Sequence, residues 1–205
     1  MANKIDDIEK RFLQMLDDGR HIYDAASNAF VGGTDPEAIR SDLFATDQRI
    51  NETERELRRM LVVHATVHGS TSFPRMLVLM ALARDAERIG DHAKNLFALC
   101  VAGPTLGDDK GALTDLKDRI SDLLVRARDL HVSQDESAAQ PVLDELEKVE
   151  KVCDGGVKRL LQVEGLNAAS AALGYRYFKR VASHAGNIVT ALIAPLDKLD
   201  YLDED

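Results

Sequence analysis

Apolar residues recur along this chain at steps of three and four, the period of helices that bury one face. Ile5, Ile8, Phe12, Met15, Leu16, Ile22 and Tyr23 trace a first amphipathic helix, which stops near Gly32 and Gly33. Thr34 and Glu37 have the spacing of a capping box, with Pro36 inside the first turn that follows. Ile39, Leu43, Thr46, Ile50, Thr53, Leu57 and Met60 trace a second helix. It fades where Gly69 and Pro74 punctuate the chain. The spacing predicts a third helix over about residues 75–101.

Residues 102–111, AGPTLGDDKG, break the pattern with Gly, Pro and Asp, each of which favours turns for its own backbone reason. Helical spacing then resumes. Leu113, Leu116, Ile120, Leu123, Leu124, Ala127 and Leu130 mark a fourth helix, and Val142, Leu146, Val149, Val152 and Val157 a fifth. Gly155 and Gly156 are expected to weaken or bend the fifth helix, by about 1 kcal/mol each relative to Ala. A sixth helix runs from Gly165 towards Pro195, before a short acidic tail. Strand-like alternation is nearly absent.

The second three helices echo the first. NETERELRRML, from Asn51, resembles KVCDGGVKRLL, 100 residues on, and AERIGDHAKNLFAL, from Ala86, resembles FKRVASHAGNIVTAL, 92 residues on. His92 falls over His184 and Asn95 over Asn187. The pattern predicts an all-α chain of six helices with an internal repeat. It forms two three-helix bundles in tandem, residues 1–101 and 112–195, with a linker at 102–111 and a tail at 196–205.

Composition narrows the partners. The chain has 205 residues, 30% of them charged, and a net charge of −9, which is unfavourable for nonspecific attraction to nucleic acid or anionic lipid. The longest apolar run, residues 76–83, is far shorter than the roughly 20 residues a membrane span needs. The N-terminus turns charged at once and does not read as a signal peptide. Cys100 and Cys153 fall in helices without zinc-site spacing and read as reduced, packed thiols, so a cytoplasmic protein is expected.

The candidate chemistry is acidic. Glu87 and Asp91 stand four apart in a helix that also carries Met76, Met80 and Ala83 on that side. A solvated face is the common setting for such a pair. A carboxylate buried beside apolar residues must instead protonate, pair with an Arg such as Arg84 or Arg88, or bind metal. Asp47 and Asn51 repeat the spacing on the second helix, with Glu54 one turn on, and Glu150 and Asp154 repeat it on the fifth. Oxygen-only ligation suits Mg, Ca, Mn or Fe, and His92 could add a nitrogen. His64 and His68 also stand four apart but lack the Glu of a zinc protease, and read as a partly exposed pair. Asp115, Asp118 and Asp122 read as a wet helix face. No phosphate loop, dinucleotide turn, nucleophile elbow or Glu-x-x-His repeat appears.

The segment ERIGDHAKN, from Glu87, resembles the signature of the PhoU family, the regulators of bacterial phosphate uptake, and DQRIN, from Asp47, resembles the segment that precedes it there. That resemblance implies two three-helix bundles and a multinuclear metal site, of oxygen-preferring divalent or trivalent ions (Fe, Mn or Mg), built from such acidic motifs. Its ligands here would be Glu87, Asp91, Asp47 and Asn51, with Glu54, Glu150 and Asp154 as further candidates. It also implies coupling to a phosphate ABC transporter and its sensor kinase, and a homodimer. The second half departs from the family pattern, with Lys179 and Ser183 where acids are expected. Lys179 is expected to supply the positive charge beside Glu150 and Asp154, in a second half without metal. The sequence thus predicts a noncatalytic cytoplasmic regulator; the alternative is a metal-dependent hydrolase or oxidase using the first-half acids.

Overall fold

The computed structural model describes residues 4–68, 73–103 and 105–194, with the backbone alone at 4, 5 and 68. Among these residues all regular structure is helical. Six long helices follow in order: α1 (Lys4–Phe30), α2 (Pro36–His68), α3 (Phe73–Val101), α4 (Lys110–Ser133), α5 (Ala139–Leu160) and α6 (Leu166–Thr190). The expected tail at 196–205, Gly69, Pro195 and the side chains of Ile5 and His68 lie outside the described residues.

The helix boundaries follow local chemistry, with corrections. Asp35, not Thr34, caps α2: its carboxylate accepts from the Glu37 backbone N–H at 3.0 Å. Pro36 is the first helical residue, and the Glu37 carboxylate turns to Arg40 at 2.6 Å instead of reaching back. The linker is shorter than expected, because a 3-10 turn at Gly107–Asp109 leads directly into α4 at Lys110. Asp109 is buried there, receiving the Tyr175 hydroxyl at 2.8 Å and the Arg159 guanidinium, which ties the linker to α5 and α6. Helix α6 ends at Thr190, short of Pro195.

Gly155 and Gly156 do not interrupt α5, which runs to Leu160. A Cβ at Gly156 would stand 2.7 Å from the Tyr175 ring, so the glycine permits α5 and α6 to approach closely. The packing gain offsets its poor helix propensity. Gly174 does the same on α6, where a Cβ would meet the Phe30 ring at 2.4 Å.

Helices α1, α2 and α3 pack together, and so do α4, α5 and α6, but α3 also packs on α6 and α1 on α4. One continuous core results. Phe178 of α6 sits edge-on to Tyr23 and Phe30 of α1, at 6.0 and 6.1 Å between ring centroids. The break at residues 102–109 is therefore a break in the chain and not in the core.

Candidate functional site

Helices α2 and α3 run antiparallel, so positions spaced by a turn on one oppose positions spaced by a turn on the other. Asp47, Asn51 and Glu54 face α3 in the order opposite to Glu87, Asp91 and Lys94. The contacts fix this register. The Lys94 ammonium stands 2.9 Å from Asp47 and 3.0 Å from Asp91. At the other end the Glu54 charge acts on Glu87, seven residues back along α3. Between them the Asn51 amide donates to the Asp47 carboxylate at 3.3 Å and to the Asp47 carbonyl at 3.0 Å.

The site is half-buried and unevenly neutralised. Asp91 has a cation on each oxygen, with Lys94 on Oδ1 and Arg88 on Oδ2 at 3.2 Å. Glu54 pairs with Arg58 at 2.7 Å. Among the described residues Glu87 has only Arg88, at 3.7 Å, although its side chain is 18% exposed. Burial, then the neighbouring Asp91 and Glu54 charges, hold the Glu87 carboxyl above its ordinary range against the pull of Arg88. Burial opposes the charge on Lys94, but its bonds to Asp47 and Asp91 outweigh this and raise its pKa.

The predicted ligands thus come together on one α2–α3 face, with two corrections. Arg88 supplies the pairing, whereas Arg84 is exposed. His92 is not among the donors: one residue on from Asp91 turns it about 100° round the helix, onto α6. The donor set fits an oxygen-preferring cation by chemistry, because Glu87 is an acid pressed against acids in a half-buried setting. It is not a ready-made cage. Among the described residues no three His, Cys, Asp or Glu side chains converge as a cation site, and Lys94 holds the place between Asp47 and Asp91.

In the second half the matching face lies between α5 and α6. Lys179 stands 2.6 Å from Asp154 and 3.9 Å from Glu150, and the Ser183 hydroxyl donates to Glu150 at 2.9 Å. The expected neighbours of Lys179 are its actual neighbours. Of the other sequence candidates, His64 is buried rather than partly exposed, and Asp115, Asp118 and Asp122 are exposed as expected. Burial pushes the Cys153 thiol up to about 12, with Asp154 and Glu150 adding to it, so this cysteine stays protonated.

Sequence reasoning missed Asp85. This buried acid of α3 accepts from His184 Nδ1 and from the Asn187 amide of α6, both at 2.9 Å on the same oxygen. The His184 ring stacks on His92 at 5.5 Å, and His92 on Tyr177 at 6.1 Å. Burial, and then the His184 and Arg180 charges, depress His92 to about 4, so it is neutral at pH 7. The available signal was the repeat itself, which aligns His92 with His184 and Asn95 with Asn187. Of these, His92, His184 and Asn187 lie at the seam where α3 and α6 pack.

Residues 12–99 match the family model described as PhoU domain. The first half of the chain is thus similar to the PhoU family. A 54-residue stretch is 44% identical to the phosphate-specific transport system accessory protein PhoU homolog 1 of Thermotoga maritima, covering 26% of this chain and 23% of that protein. The fold extends the likeness to the whole chain. The crystal structure of PhoU from Pseudomonas aeruginosa superposes with a TM-score of 0.83, at 19% identity over 93% of this chain and 95% of that one. The phosphate transport system regulatory protein PhoU from Streptococcus pneumoniae superposes at 0.77, with 14% identity and 97% of each chain covered. No described helix is long and apolar enough to cross a membrane.

Proposed function

We propose that this chain is a member of the PhoU family and a noncatalytic regulator of phosphate uptake, acting by contact with a phosphate transporter and with the sensor kinase that reads phosphate supply. The observation that carries this reading is the PhoU domain at residues 12–99, set in a fold that follows PhoU over the whole chain. The warrant for the partners is analogy with relatives that are named for phosphate transport. In the same reading a homodimer acts in the cytoplasm, and one oxygen-ligated divalent ion binds the first half. Glu87 and Asp91 would hold that ion, with Asp47 and Asn51 from α2 and Glu54 as a further candidate, supported by the surplus of negative charge around Glu87. Such an ion would offset the repulsion among these acids and brace α2 against α3.

Deleting the gene should derepress phosphate-uptake genes in phosphate-replete cells. Affinity capture from the same cells should retain a phosphate transporter subunit or a sensor kinase. Unchanged expression and uptake, together with neither partner captured, would remove the regulatory reading. The metal reading is separable, since elemental analysis of a folded Glu87→Ala, Asp91→Ala double variant should show less bound metal than the parent.

A further inference from the structure

Among the described residues each acid around the first-half site except Glu87 has a cation within about 3 Å, and the one that Asp47 and Asp91 share crosses between helices. Lys94 is the residue that bonds to both sides of the α2–α3 face, through Asp47 on α2 and Asp91 on α3. Its side chain is half-buried, 28% exposed. A divalent ion reaching Glu87 and Asp91 would therefore meet an Asp91 whose Oδ1 is already taken by Lys94 and whose Oδ2 is taken by Arg88.

We propose that Lys94 is the resident cation of this site and that it competes with a divalent metal ion for Asp91. In the metal-free protein Lys94 does the bridging that the metal would do, so α2 and α3 stay closed. A metal would bind once Lys94 withdraws from Asp91, and the exchange would set two positive charges against Asp91 where the ammonium set one. Lys94 thus lowers metal affinity and makes the fold independent of metal supply. The second half supports the principle, because Lys179 bridges Asp154 and Glu150 there from a different position on its helix. This inference rests on the reading that the first half takes an oxygen-preferring ion.

The test compares the parent with Lys94→Met, which keeps the stem and removes the charge, and Lys94→Arg, which keeps a charge. Each is melted in chelator and again with Mn(II), and Mn(II) affinity is measured by calorimetry on the full chain. In chelator, Lys94→Met should lose about 3–5 °C in Tm, as a loss of one partly buried ion-pair bridge implies for a chain of this size. Lys94→Arg should lose less. Mn(II) should restore Lys94→Met and bind it roughly tenfold or more tightly than it binds the parent, by the stabilisation that any native-state ligand confers. A Lys94→Met protein as stable as the parent in chelator overturns the proposal. So does one that binds Mn(II) no more tightly than a parent that does bind, a result that leaves the metal reading standing. If neither protein takes up Mn(II), both readings fall together.

Discussion

Glu87 and Lys179 hold the same place in the two halves of this molecule, 92 residues apart on α3 and α6, and they carry opposite charge. Their partners correspond as well: Glu54 on α2 and Asp154 on α5 are 100 residues apart. One register thus juxtaposes two acids in the first half and an acid with a lysine in the second, the latter pair at 2.6 Å. The first half recovers its balance one turn or two away, with Lys94 between Asp47 and Asp91. The counterpart of Lys94 is Gly186, and the counterpart of Asp47 is Glu147, which turns to Lys151 on its own helix at 2.5 Å. Each half therefore spends one lysine between its helices, but at different depths along them. In the second half the lysine meets its acids directly. In the first it leaves Glu87 facing like charge, and that residue is where an added cation gains most.

The two halves carry separate sites on a shared body, and the largest perturbation of that arrangement runs through the core they share. Phe178 belongs to the second half by sequence and packs on Tyr23 and Phe30 of the first. Phe178→Ala should cost about 3–5 kcal/mol, and calorimetry should still show one transition. Two separated transitions would mean that the halves unfold independently. Next in size is the transfer of the first-half charge pattern to the second. Lys179→Glu removes the bridge to Asp154 and Glu150 and sets a third acid beside them. About 2 kcal/mol of stability should go in chelator, because these side chains are only partly exposed, and Mn(II) should return part of it. A variant with the parent's melting curve in both buffers would show that the charge at this position is solvated.

The smallest expected effect runs the other way. Burial first, then Asp91 and Glu54, raise the pKa of Glu87, so its charged form is less favoured in the folded chain than in the unfolded one. The sign follows: the favourable contribution is complete below the ordinary carboxylate range and is lost as pH rises through the raised value. Glu87→Gln removes that loss. At neutral pH in chelator it should stabilise the protein by a few tenths to about 1 kcal/mol, and the gain should shrink as pH falls. A destabilised Glu87→Gln would show that Arg88 compensates the charge fully. No gain of this kind is expected at position 179, where the lysine already stands.

The sequence by itself determined the six helices, their approximate ends and the repeat, because helical periodicity, turn residues and caps are properties of neighbours along the chain. It also placed Asp47 with Asn51 on one face of the second helix and Glu87 with Asp91 on one face of the third, since spacing by a turn is enough for that. The pairing of Lys179 with Glu150 and Asp154 followed from the same spacing once the repeat was aligned. Depth, neighbours across the seam and competition among charges were another matter. Lys94 is seven residues from Glu87, and nothing along α3 tells that its ammonium reaches Asp47, half the chain's first bundle away in sequence. Gly156 reads as a helix breaker until Tyr175 is seen where its Cβ would be. Asp85 reads as one acid among many until α6 supplies His184 and Asn187. Each of these depends on which helix lies opposite and at what distance, and only the packed core decides that, because burial and electrostatic neighbours are properties of space rather than of chain order.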